Sequence, residues 1–175
     1  GTVESSGTAR IGGAFAMVDH RGRQVTDADF RGKFMLLLFG YTFCPDVCPT
    51  ELQTMSDVLD TLGPKAENIQ PIFVTIDPER DTVAVLADYL LNFHSRLIGL
   101  TGTELQISEI ARTYGVFYAR AKVRDAPDQD KDKDYLMNHS SYIFLMDRDG
   151  KFRAAFRAGI AIKGMVRRIR DELGK

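Results

Sequence analysis

Cys44 and Cys48 are the only thiols in a chain of 175 residues, and they stand four apart in the stretch FGYTFCPDVCPTEL, each followed by a proline. A thiol pair at that spacing can reach one of two ends: the sulfurs meet in a disulfide, or they converge on one soft metal ion. Proline is tolerated in the first turn of a helix and breaks its interior. Pro45 and Pro49 therefore make residues 45–50 a helix N-terminus or a tight turn leading into one. Amides pointing out of such an end stabilise a thiolate. The spacing alone leaves both outcomes open, and a third ligand would decide between them.

Three histidines are available. His20 sits in the polar turn DHRG and reads as solvated. His94 reads as the end of an amphipathic helix, where a cation favours the helix dipole. His139, in MNHSSYIF, opens an apolar strand across from a mixed-charge loop, and its bland role is a hydrogen bond at the strand end. Joined to the two thiols it would complete a Cys2His set. Thiolates select Cu(I), and one imidazole lets Cu(II) bind too. Structural zinc usually takes four ligands, and the chain offers no further cysteine and no other suitably placed histidine.

The elements that must position these groups follow from hydrophobic period. Phe15–Val18, the turn at residues 19–22 and Arg23–Val25 read as a β-hairpin, and Asp27 or Asp29 starts a short turn. Phe34–Tyr41 is too apolar for an edge strand and reads as a central one. Leu52, Met55, Leu59 and Leu62 recur at helical spacing, stopped by Gly63-Pro64. Ile69–Ile76 is a second buried strand; Asp81 or Thr82 then caps a helix through about residue 93. Leu97–Leu100 is a short strand, and Thr103 with Gln106 forms a capping box for a helix ending near Tyr114. Val116–Val123 alternates as a strand, and Arg124–Asp134 is a polar loop that we expect to move His139 towards the cysteines. Ser141–Met146, Asp149-Gly150 and Lys151–Phe156 make a late hairpin, and a basic amphipathic helix closes the chain.

Strand–helix alternation of this kind predicts an α/β three-layer sandwich around a mostly parallel sheet. A thioredoxin-like fold is the leading candidate, with an N-terminal β-hairpin and a late β-hairpin insertion. Cys44 follows the central strand directly, at the carboxyl edge where open α/β sheets carry their sites. Asp77 ends the neighbouring strand on the same edge and can orient the ligands or meet a partner. Asp81 reads as a helix cap, and Asp46 as an acidic first-turn residue.

Totals exclude several classes. The chain is 44% hydrophobic and 27% charged with a net charge of −1, so it carries no nucleic-acid footprint and no polybasic membrane surface. No window approaches the roughly 18 apolar residues of a membrane span. Residues 1–13 are small and polar and read as a flexible linker remnant, with one domain over residues 14–175. A dithiol enzyme of thioredoxin type would show C-x-x-C and a proline before a late strand. Here the spacing is C-x-x-x-C and no proline follows Pro127. A peroxiredoxin would show T-x-x-C, whereas Thr42 gives T-x-C.

In order along the chain, FGYTFCPDVCPTEL, VTIDPERDT, LIGLTGT and DYLMNHSSYIFLMDRDGKF resemble the Sco (SenC) copper proteins of cytochrome c oxidase assembly. The resemblance implies a thioredoxin-like domain binding one copper, as Cu(I) or Cu(II), through Cys44, Cys48 and His139. It implies a metallochaperone rather than an enzyme, with the copper-bearing subunit of the oxidase and its CuA site as partner. Other copper chaperones or thiol reductants are further expected partners. The alternative is a thiol–disulfide reductase that keeps the CuA cysteines reduced. An N-terminal membrane anchor outside this chain is implied, facing the bacterial periplasm or the mitochondrial intermembrane space. One departure is Asn138, where the family commonly has Asp before the histidine; losing that carboxylate weakens orientation of the imidazole.

Overall fold

Phe34–Gly40 is buried at every position, which an isolated hairpin could not achieve and a strand covered on both faces must. The computed structural model of the chain describes residues 2–3, 10–43, 47–122, 135–139 and 142–175. Its first half holds β1 (Thr2–Val3), β2 (Ala16–Asp19), β3 (Gln24–Thr26), β4 (Phe34–Gly40), α1 (Val47–Leu62), β5 (Ile69–Thr75) and α2 (Val83–Leu90). Then come β6 (Ile98–Thr101), α3 (Glu104–Tyr114), β7 (Tyr118–Lys122), β8 (Tyr135–His139), β9 (Tyr142–Met146), β10 (Phe152–Arg157) and α4 (Ile162–Leu173).

Eight strands form one sheet in the order β1-β10-β9-β4-β5-β6-β2-β3. Only β4–β5 and β5–β6 pair in parallel; the flanking strands are antiparallel. The expectation of a mostly parallel sheet therefore gives way to a three-strand parallel centre with antiparallel margins. The two hairpins add their strands without a crossover helix, and only crossovers make parallel neighbours.

Alternate side chains of β4 face opposite layers. Leu36 and Leu38 pack with Leu52, Met55 and Leu59 of α1 and with the inner stripes of α2 and α4. Leu37 and Phe39 pack with Ile107, Ile110 and Tyr114 of α3. Burying each such aliphatic side chain contributes about 2 kcal/mol. The result is the three-layer, thioredoxin-like α/β sandwich, and the late hairpin β9–β10 lies inside the main sheet.

Local signals were obeyed unevenly. Thr103 and Gln106 form their capping box, and α3 stops at Gly115 in the left-handed region, φ 70°, which glycine adopts without a Cβ penalty. By contrast α2 ends at Leu90, short of His94. His94 instead accepts a hydrogen bond on Nδ1 from the Arg96 amide, and its own amide donates to Ser56 Oγ. His20 is half-buried rather than solvated: its Nδ1 accepts from the Gly99 amide at 3.1 Å, and burial, ahead of Arg21, pushes its pKa down.

The strand expected over 116–123 runs from Tyr118 to Lys122, and it finds a partner, β8, that periodicity did not mark. The two make a separate antiparallel hairpin with Tyr118 opposite His139. His139 thus closes β8 instead of opening β9. Residues 124–134, expected to form a moving loop, lie outside the described residues.

Candidate functional site

The carboxyl end of β4 is where the chemistry-bearing residues gather. Gly40 is its last residue and pairs with Thr75 of β5. The chain leaves the sheet through Tyr41, Thr42 and Phe43, and α1 begins at Val47. Cys48 and Pro49 therefore stand in the first turn of α1, one of the two places that proline allows. Cys44 and Asp46 lie outside the described residues.

Cys48 is 1% exposed and belongs to the apolar cluster on the α3 side of the sheet. It is seated by an absence. A Cβ built on Gly40 would come within 2.7 Å of Cys48 Sγ and 2.9 Å of the Phe73 ring, closer than carbon atoms tolerate. A glycine in a buried strand thus marks a close approach, here of a helix-borne thiol to the backbone. That signal stood in the sequence, one glycine at the end of an apolar run, and it was missed.

Asp81 is not the cap of α2. Thr82 fills that place, its hydroxyl accepting from the Val85 amide. The Asp81 carboxylate is fully buried and acts as a hub. Oδ2 accepts from the Thr42 amide at 3.0 Å and from the Thr75 hydroxyl at 2.6 Å, while Oδ1 accepts from the Thr42 hydroxyl. The Thr101 hydroxyl donates to the Asp81 carbonyl at 2.9 Å. Burial pushes the Asp81 pKa up, against the pull of the Thr42 and Thr75 hydroxyls and the Thr42 amide. The residues after β4 and at the end of β5 are thereby tied to the Asp81 side chain, and the end of β6 to its backbone. None of the three threonines carries a local signal for this, since Thr42 and Asp81 are 39 residues apart.

Asp77 is buried, and its Oδ2 accepts from Arg80 Nε at 2.5 Å. The Arg80 guanidinium lies 4.3 Å from the centre of the Phe43 ring and 5.7 Å from that of Tyr41. Phe43, 48% exposed, is a large hydrophobic side chain left open to solvent immediately before Cys44. One turn after Cys48, Glu51 is buried, and its Oε1 accepts from the Gly159 amide at 3.1 Å. Its Oε2 has no partner among the described residues, and burial pushes the carboxyl pKa up.

His139 and Asn138 are described as backbone. β9 runs antiparallel to β4 with Ile143 opposite Leu38, so its first residue, Tyr142, lies at the carboxyl end of β4. His139 precedes Tyr142 by three residues. Its cross-strand neighbour Tyr118 packs against the same cluster as Cys48 and Tyr41. The topology thus brings the end of β8 to the sheet edge that carries the cysteine motif. Among the described residues no three His, Cys, Asp or Glu side chains converge as a metal site, and no helix is long and apolar enough to cross a membrane.

This arrangement has known counterparts. The SCO1/SenC family model matches residues 3–174. A mitochondrial SCO2 homolog of Bos taurus is 46% identical over 153 residues, which is 86% of this chain and 55% of that protein. An SCO2-like protein of Rickettsia conorii is 39% identical over 163 residues, 93% of this chain and 77% of that protein. The chain thus spans little more than half of the bovine relative. Among solved structures, Bradyrhizobium japonicum ScoI with copper bound superposes with a TM-score of 0.81 at 38% identity, covering 92% of this chain and 98% of that one. Yeast Sco1 with copper bound gives 0.84 at 34% identity, covering 95% and 90%. BsSco, described as a cytochrome c oxidase assembly protein with a disulfide switch, shares the fold at 21% identity, with a TM-score of 0.71 and 98% of each chain covered. With the family model matched over nearly its whole length, the chain belongs to the SCO1/SenC family.

Proposed function

We propose that the chain is a copper metallochaperone of cytochrome c oxidase assembly, holding one copper as cargo through the thiolates of Cys44 and Cys48 and the imidazole of His139. The observation that carries this reading is the seat of Cys48. Its thiol is packed in the first turn of α1 against the bare backbone of Gly40, at the edge reached by the end of β8. The donor set fits the metal: two soft thiolates favour Cu(I), and one imidazole extends the site to Cu(II). Membership of a family whose solved members hold copper supports the same cargo.

Loading and redox state are coupled in this reading. Oxidation of the two thiolates of Cys44 and Cys48 gives up two electrons, joins the sulfurs and withdraws two ligands, so the ion leaves. The electrons pass to a disulfide on a partner protein, which takes up two protons from solvent and is reduced to two thiols. The copper-bearing subunit of the oxidase, with its CuA cysteines, is the partner that needs both copper and reduced thiols. Placement on the periplasmic face of a bacterial inner membrane or in the mitochondrial intermembrane space, through an anchor outside residues 1–175, belongs to the same proposal.

Titration of the reduced wild type and of His139→Ala with Cu(II) tests it. Partners outside the ligand shell typically account for 10–100-fold in metal affinity, so loss of the imidazole should weaken binding by about 100-fold or more. The rate of thiol–disulfide exchange should stay at the wild-type value. Unchanged copper affinity in His139→Ala, with exchange intact, would instead make the chain a thiol–disulfide reductase.

A further inference from the structure

We propose that the turn from Asp77 to Asp81 is a positioning clamp on the segment leading into Cys44, and that its grip sets how readily the two sulfurs come together. Only the copper arm of the test below rests on the function proposed above; the thiol arm stands by itself.

Two holds act on three consecutive residues. Asp81 takes both donors of Thr42, the amide and the hydroxyl. Arg80, braced by Asp77, lays its guanidinium on Phe43 and reaches Tyr41. The next residue in the chain is Cys44. The clamp is itself anchored in the sheet, because the Thr75 and Thr101 hydroxyls tie Asp81 to the ends of β5 and β6. Helix capping explains neither acid, since Thr82 does that work.

Joining two sulfurs, in a disulfide or on one ion, costs the ordering of the chain that carries them. A segment already held has less freedom to lose, which raises the effective concentration of one thiol at the other. Disulfide formation and Cu(I) chelation both need the sulfurs together. Loosening the clamp must therefore weaken both, and in the same direction.

Thr42→Val keeps the shape of the side chain and removes the hydroxyl donor; Thr42→Ser returns it. The full chain is equilibrated in mixtures of glutathione and glutathione disulfide and trapped with an alkylating reagent, at a temperature where every variant is folded. Each turnover converts the two protein thiols and one glutathione disulfide into the protein disulfide and two glutathione thiols. Thr42→Val should shift this equilibrium towards the protein dithiol by about tenfold, equivalent to roughly 30 mV. Arg80→Gln should shift it the same way, and Thr42→Ser should restore the wild-type constant. Competition for Cu(I) against a chromophoric chelator should show a parallel loss. A lowered melting temperature with an unchanged equilibrium constant overturns the clamp, as does a serine variant that restores nothing. If the wild type takes up no copper while the thiol equilibrium moves as expected, the copper reading falls and the clamp stands.

Discussion

Asp81→Ala should lower the unfolding free energy by about 3 kcal/mol, because three donors lose their acceptor at once and each stranded donor costs about 1–3 kcal/mol. The donors are the Thr42 amide, the Thr42 hydroxyl and the Thr75 hydroxyl. Release of a buried carboxylate offsets part of the loss, which keeps the sum below the simple total. Asp81→Asn retains an acceptor oxygen and should cost about 1 kcal/mol. Its penalty should also vary with pH in a defined direction. Burial raises the folded pKa of Asp81 above its ordinary value of 3.8, so the folded state binds the proton more tightly than the unfolded one. Wild-type stability from this group therefore falls as pH climbs through the window above 3.8. The asparagine variant, which does not titrate, should lie nearest the wild type at neutral pH and furthest from it in acid. Urea unfolding of the reduced proteins at two pH values measures both effects. An alanine variant as stable as the wild type would mean that the hub does not hold the chain.

Gly40→Ala should destabilise the fold by about 1–2 kcal/mol and displace the Cys48 thiol. Overpacking a filled core costs about 1–3 kcal/mol, and the new methyl would meet Cys48 Sγ at 2.7 Å and the Phe73 ring at 2.9 Å. Neither neighbour has room to retreat, because Cys48 is fixed in α1 and Phe73 is completely buried in β5. Alanine gains about 0.5–1 kcal/mol over glycine by restricting the unfolded chain, so the net loss is smaller than the clash. Urea unfolding gives the first number. The alkylation rate of Cys48 in the folded protein reports the second effect and should rise as the thiol is pushed out of its seat. A stability equal to or above that of the wild type would show that the thiol is not packed on this strand.

These two residues show where sequence reading reached and where it stopped. The apolar run ending in Gly40 was read as a central strand because burial on both faces leaves a local trace, an uninterrupted hydrophobic stretch. Residues 45–50 read as a helix N-terminus or a tight turn leading into one because proline restricts backbone geometry at its own position, and the structure puts Cys48 in the first turn of α1. Both inferences need only neighbouring residues. Asp81 was misread as a cap because its true partner is far along the chain, and a nearby helix start offered a sufficient local explanation. His20 fails for the same reason: its acceptor role depends on the Gly99 amide of β6, 79 residues away. β8 was missed because its period is visible only once β7 is laid against it, and a polar stretch separates the two in sequence. The hydrophobic pattern thus announced the layers, while the bonds that hold the cysteine limb in place are long-range polar contacts with no periodic signature.

Everything proposed about cargo turns on two sulfurs and one ring nitrogen meeting at one ion. X-ray absorption at the copper edge, on reduced protein carrying one equivalent of Cu(I), tests that directly. The expected copper shell contains two sulfurs and one imidazole nitrogen, with the nitrogen lost in His139→Ala and the whole shell absent from the disulfide form. A wild-type shell of sulfur alone, or of nitrogen and oxygen without sulfur, would contradict it.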